Sequence, residues 1–375
     1  MKLADASRLF KQSILIFVAL MVLYFILKFT FIAGTVLIKV LFPPKPPAPT
    51  MLFGQISLPN IESLKTDGTI LYQVDTISGR LPSGLPNQMP VFKVIIPKQD
   101  ILVEQKAKLT ADFFGFKNSA SYTQNSNIEW KWQSLVPQRT LNLNILTFNY
   151  IIDPNLAQLN LYLRRGDAVP PEQAKNSAMS IFSSHSFVKF KRDESSFVTN
   201  VSFARINQEV LEEAPSLSEA QLTRVDIYRT LDYSNAKFKI YGTKYDSSYI
   251  NYFLAQGYLT SNKLLKASVT YWDFDPEKGS TYPLKNINTA WQELTTGNAT
   301  IVKLVEEDED RYKPYTLKNI KTVKIKSIEL AYIIDDDIPE YIQPIYIFNG
   351  RFETQTGQLG EYISYLPALD SNVVK

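Results

Sequence analysis

The chain has 375 residues, 45% of them apolar, with 21 Tyr, 22 Phe, only 14 Gly, no Cys and a formal net charge of +3. Without cysteine there are no disulfides, thiolate metal sites, cysteine nucleophile or lipidated N-terminal cysteine, and the length exceeds one ordinary core. Residues 1–50 hold six basic groups and one acid, leaving 34 basic and 36 acidic groups beyond them, so the body lacks the basic excess that nucleic-acid binding requires.

Along the chain, residues 1–12 form a short tail carrying Lys2, Arg8 and Lys11. Residues 13–42 are a 30-residue apolar run broken only by Lys28 and Lys39. A bilayer core needs about 20 apolar residues in a helix, so this run predicts a single transmembrane helix with its interface. It is too long for the apolar core of a cleaved signal peptide, and bulky residues and prolines follow it. The positive-inside rule then puts the N-terminus in the cytoplasm and the body outside the membrane. A large extracytoplasmic body without disulfides suits a bacterial cell envelope. Residues 43–50 hold five prolines between Pro43 and Pro49, a semi-rigid spacer.

The body is expected to be α+β, with two or three modules of antiparallel sheet and packed helices: 51–168, 169–280 and 281–375. Strands are predicted at 69–74 and 91–95. A helix follows, capped by Asp100, with Ala107, Ala111 and Phe114 on one face. Strands at 128–132 and 141–152 predict a hairpin turning near Pro137. Pro170 and Pro171 open a second helix with Ala174, Ala178 and Ile181 at the same spacing. Small alanines let a helix lie close to a sheet. Strands at 198–206, 222–230, 236–241 and 266–272 follow. A third helix at 287–294 ends at Gly297, and strands at 300–305, 323–334 and 342–348 complete the body. The order, helix and then antiparallel strands, recurs.

Little chemistry is legible. His185 stands alone in the chain. Ser-x-x-Lys occurs at Ser186 to Lys189 and at Ser234 to Lys237, without the companion motifs of a serine–lysine enzyme. The acidic clusters at 306–310 and 335–337 lack the alternation and glycine of a calcium loop and read as solvated turns. No phosphate loop, dinucleotide fingerprint or zinc-protease helix appears. No cofactor, metal or catalytic residue is therefore assigned, and a non-enzymatic protein is expected.

Near the C-terminus, Ala290-Trp291-Gln292-Glu293-Leu294 and Gly297 lead to Ile328-Glu329-Leu330-Ala331-Tyr332 and then to Gln343-Pro344-Ile345-Tyr346-Ile347-Phe348-Asn349-Gly350. This stretch of about 60 residues resembles the closing module of YycH/YycI-type regulatory proteins and, more loosely, PepSY-like domains. The resemblance implies a bitopic protein with an extracytoplasmic α+β body that restrains a sensor kinase and has no catalysis of its own. The expected function is binding of a membrane or envelope partner, with a sensor kinase as one class. The alternatives are an envelope scaffold or assembly factor, and an envelope hydrolase with an unrecognised site. Candidate partner contacts are Lys28, facing a partner helix or reaching for the headgroups, and Gln343, Tyr346 and Phe348, on a strand that is either an exposed edge or core.

Overall fold

Alternation of apolar and polar residues along the body is realised as paired strands in the computed structural model of this protein. It describes residues 16–17, 20–35, 47–98, 101–116, 122–124, 128–185, 196–244, 248–256, 263–335 and 339–375. The chain divides into two compact units, Met1–Ala48 and Pro49–Lys375.

In the first unit, residues 20–35 are helical. Their apolar side chains, including Leu20, Phe25, Phe29 and Phe31, are exposed, as is Lys28. No helix among the described residues is long and apolar enough to cross a membrane. The expected single-pass transmembrane helix, cytoplasmic N-terminus and extracytoplasmic placement are corrected accordingly. The expected tail at 1–12 and most of the linker at 43–46 lie outside the described residues.

The second unit is mostly sheet, with nineteen strands against four α-helices among the described residues, which corrects the expected α+β class of sheet modules with packed helices. It begins with β1 (Thr66–Asp67), β2 (Leu71–Val74), β3 (Gln88–Ile95), α1 (Val103–Phe113), β4 (Tyr122–Gln124), β5 (Glu129–Leu135), β6 (Gln138–Asn144), β7 (Tyr150–Pro154), α2 (Leu156–Asn160) and α3 (Pro171–His185). β8 (Phe197–Asn207), β9 (Val210–Glu213), β10 (Leu222–Tyr233), β11 (Ala236–Tyr241), β12 (Ile250–Leu254), β13 (Leu264–Val269), β14 (Asp273–Phe274) and β15 (Ser280–Pro283) follow. The chain closes with α4 (Ile287–Thr295), β16 (Thr300–Glu306), β17 (Lys318–Ile333), β18 (Tyr341–Thr354) and β19 (Leu359–Pro367).

Nine strands form one antiparallel sheet in the order β4-β5-β6-β7-β13-β12-β10-β8-β9. At its middle, β7 and β13 pair through Ile152 with Ala267 and Tyr150 with Val269. On either side of that pair lie three strands in matching order, β6-β5-β4 and β12-β10-β8. The sheet is therefore two halves of helix-plus-four-strands, related by a pseudo-two-fold at the β7/β13 junction. Ala107 and Ala111 of α1 and Ala174 and Ala178 of α3 enter one core with Trp130, Leu141, Tyr150, Val225 and Tyr252. Both helices thus cover the same face, and their shared spacing is the sequence imprint of the repeat. Arg139, buried on this face with no carboxylate partner among the described residues, ties the halves together: it donates to the carbonyls of Phe114 and Leu264, both at 3.0 Å. Burial pulls its pKa down to about 10.

The predicted strand at 141–152 is two strands. The Asn144 side chain accepts from the backbone N–H of Leu146 and Thr147, an Asx turn that reverses the chain between β6 and β7. Asp100, the expected cap, lies outside the described residues, and α1 starts at Val103 without a side-chain cap.

The C-terminal strands run β16-β19-β18-β17. β1, β2 and β11 each pair in parallel with successive stretches of β17. Asn286 caps α4, accepting from Thr289 N–H at 2.9 Å, and Gly297, at φ +82°, turns the chain away after the helix. Ala290 and Leu294 of α4 share a second core with Val323, Tyr346 and Phe348, and also with Met89 and Val91 of β3. β3 pairs with β14, β15 and β18, so residue 51–168 segments contribute to the C-terminal core.

Candidate functional site: a polar cleft beside the outer strand of the second half

The helix-free face of the nine-stranded sheet is built from the residues between the core positions. One row across it reads Lys131, Asn142, Ile151, Ser268, Asn251, Asp226 and Asn200. The pseudo-two-fold places Asn142 on Asn251 and Lys131 on Asp226. In the first half this face is open: Lys131 and Asn142 are half-buried and Ile151 is exposed. In the second half it is covered. α2 brings Leu159 against Leu222 and Phe253, and Tyr312 packs on the same cluster. Tyr228 and Tyr241 meet Ile333, Ile345 and Tyr365 of the C-terminal sheet.

Asp226, 5% exposed, sits between these two clusters. Arg224, two residues earlier on the same face, donates to its Oδ1 at 2.9 Å. The Arg224 guanidinium also lies 5.7 Å from the centre of the Phe253 ring. Ser248 Oγ donates to Asp226 at 3.4 Å. Burial raises the Asp226 pKa, and Arg224 and Ser248 offset this only in part. For Arg224, burial works to lower the pKa, but Asp226 and Tyr312 more than compensate, so the guanidinium stays charged. The Tyr312 hydroxyl is pushed up by burial despite Arg224 beside it. Each charge is thus tied to the other, a poor arrangement for a general acid or base and a good one for fixing the strand.

Beside this pair opens a cleft of about 600 Å³. Five consecutive residues of β8, Thr199, Asn200, Val201, Ser202 and Phe203, line it. Successive side chains of a strand point to opposite faces, so a cleft touching all five runs along the edge of the strand. Pro171 and Lys175 of α3 form one wall, and Asp226, Tyr228, Lys239, Tyr241 and Arg311 the other. Lys239 Nζ lies 5.4 Å from the Tyr228 ring centre. Lys175 pairs with the exposed Glu172 at 2.7 Å, and Arg311 pairs with Glu213. The buried Oγ of Ser202 has no hydrogen-bond partner among the described residues.

The residues singled out in the sequence are elsewhere. β18 lies between β17 and β19, so the strand of Gln343, Tyr346 and Phe348 is core and not an exposed edge. Gln343 donates to Ser57 O at 3.0 Å, Tyr346 donates to Lys285 O at 2.7 Å, and Phe348 is fully buried. Lys28 is exposed on the helical stretch of the other unit. Ser234 sits in the β10–β11 turn with φ +51°, while Ser186 and Lys189 lie outside the described residues. The acidic cluster at 306–310 is a set of counter-ions. Glu309 and Glu306 approach the buried Lys318 at 2.7 and 3.3 Å, Glu307 pairs with Arg351 at 2.8 Å, and Asp310 accepts from Tyr312 N–H at 2.9 Å. Asp335 accepts from Asn60 N–H at 3.2 Å, with 336–337 outside the described residues. Among the described residues, no group of three or more His, Asp or Glu is placed to hold a metal ion.

Sequence reasoning missed Arg224 and Asp226. The available signal was two opposite charges at alternate positions of a strand that also carries Arg229 and Asp232, which reads equally as a solvated face.

No protein-family model matches the chain, and no curated protein matches it. Among solved structures, it is similar to a crystal structure of an uncharacterized protein from Eubacterium rectale ATCC 33656. The TM-score is 0.40 and the identity 8%, over 76% of this chain and 85% of that one. None of these comparisons points to the YycH/YycI-type or PepSY-like families.

Proposed function

We propose that the 49–375 body works by binding another protein and carries no catalysis, with the cleft beside β8 as its contact site. The observation that carries this reading is the position of the cleft along a strand edge, walled by Lys175, Lys239 and Arg311. The charged groups beneath it, Arg224 and Asp226, neutralise one another. Strand edges offer rows of backbone donors and acceptors, the usual material of protein–protein contact. A sensor kinase is the partner class suggested by the likeness of the 290–350 stretch to regulatory proteins, and it is kept here as part of the proposal.

The test is photo-crosslinking in the cells of origin, with a benzophenone amino acid at the exposed Asn200 of the full chain. The reading expects a discrete adduct with a second polypeptide, lost when Lys239→Glu and Arg311→Glu are introduced together. An adduct pattern unchanged by that double variant, or the same as that from a benzophenone placed at Lys131, overturns it.

A further inference from the structure

The β8 edge has two properties that together define its occupant. The first is its backbone. β8 pairs with β10 from Phe197 to Ala204, opposite Arg229 to Leu222, while on its other side β9 pairs only with Ala204–Asn207 and Ala214 N–H reaches Phe203 O. Among the described residues nothing pairs with the outer edge of 198–202. An edge of this kind is ordinarily blunted by charge, proline, a bulge or a covering element. The stretch Val198-Thr199-Asn200-Val201-Ser202 has no charge, no proline and no glycine, and its register with β10 runs without a bulge. It is a strand ready to accept another.

The second property is charge. Of the charged side chains lining the cleft, three are cations and one, Asp226, is an anion already held by Arg224. Lys175 and Arg311 are held by Glu172 and Glu213, whose side chains are 81% and 44% exposed. A solvent-facing carboxylate pairs weakly, by roughly 0–1 kcal/mol, so Lys175 can turn from Glu172 to an incoming carboxylate at little cost, while Arg311 adds its charge to the cleft from its place beside Glu213. Lys175 lies on the α3 side of β8, while Lys239 and Arg311 lie on the side of the sheet facing Asp226. A strand laid along β8 presents alternate side chains to these two walls.

We infer that the occupant is an extended, acidic segment of a partner protein that adds to β8 as a further strand of the sheet. This inference rests on the reading of the cleft as a protein contact and deepens it. The main-chain ladder to 198–202 supplies the binding, and carboxylates set against Lys239, Arg311 and Lys175 supply the choice of partner.

The probes are synthetic eight-residue peptides, tested on the full chain by fluorescence anisotropy. One alternates Glu with Val. One alternates Lys with Val. Two further copies of the Glu peptide carry N-methyl groups on alternate amides, one set for each edge. The Glu peptide is expected to bind at least about tenfold more tightly than the Lys peptide, with affinity falling as salt rises. Methylation of one edge should abolish binding and methylation of the other should leave it, and the amides of 198–202 should become protected from hydrogen exchange on binding. If both methylated peptides bind like the parent, strand addition is overturned while a side-chain docking cleft survives. If neither charge pattern binds but the Asn200 adduct still forms in cells, the acidic-strand inference alone is overturned. Loss of both the peptide binding and the adduct overturns the inference together with the reading beneath it.

Discussion

The two halves of the nine-stranded sheet have the same inside and different outsides. Inside, α1 and α3 each press two alanines, four residues apart, onto the sheet, and the same core holds both. Outside, the central position is Lys131 in one half and Asp226 in the other. The first is half-buried and open to solvent, and the second is buried and locked to Arg224. The exposed helix faces differ as well. α1 shows Leu109 and Phe113, where α3 at the same helical positions shows Asn176 and Ser180. Packing against a sheet constrains the inner face of each repeat in the same way, while the outer face follows whatever covers it. The specialised surface is therefore to be sought where the halves disagree, and the cleft beside β8 lies there.

The comparison can be broken at its buried charge first. Asp226→Leu leaves Arg224 buried without its carboxylate and should destabilise the body by about 3–5 kcal/mol. Lys131→Leu, at the matching position, should stay within about 0.5 kcal/mol. Urea denaturation of both variants decides the point, and equal effects would show that the outer faces do not differ as described. Adding Arg224→Met to Asp226→Leu should restore most of the loss, since an apolar pair of similar volume removes the uncompensated charge.

The sameness of the inner faces is tested by Ala111→Leu and Ala178→Leu. Both alanines are buried in the shared core, and overpacking should cost about 1–3 kcal/mol in each case. A large effect on one side and none on the other would end the pseudo-two-fold account. The helix surfaces give a smaller effect. Leu109→Asn with Phe113→Ser gives α1 the outward residues of α3 and should change stability by no more than about 0.5 kcal/mol, as read in the same denaturation experiment. Smallest of all is the effect on stability of Lys239→Glu with Arg311→Glu, whose side chains lie at the cleft wall. The melting temperature should barely move while the Asn200 adduct disappears.

Much of the sheet was legible in the residues. β8, β10, β11, β16 and β18 overlap strands expected from alternation and β-branched or aromatic content, and α4 lies over the expected helix. The Ala-x-x-x-Ala spacing of α1 and α3 exposed the repeat. β12 escaped because Ile250-Asn251-Tyr252-Phe253-Leu254 is buried on both faces and shows no alternation. The reversal between β6 and β7 escaped because it depends on one asparagine side chain, Asn144. The pairing of β7 with β13 could not be read locally, since it joins residues more than a hundred positions apart. The apolar run at 13–42 suggested a span from its length and hydropathy, but no helix among the described residues is long and apolar enough for one. For the site, local pattern gives Arg224 and Asp226 no mark that they are buried, because burial comes from α2, Tyr312 and the C-terminal sheet arriving from elsewhere in the chain.

The central claim is that the outer edge of β8 is open in the free protein and available to a partner strand. Residue-resolved hydrogen exchange of the full chain tests it most directly. Alternate amides within 198–202 should exchange on the order of 100-fold faster, or more, than the amides of 223–227 on β10, a stretch paired on both sides. Uniform protection of all five β8 amides at the β10 level would mean that the edge is already occupied, and would contradict the account.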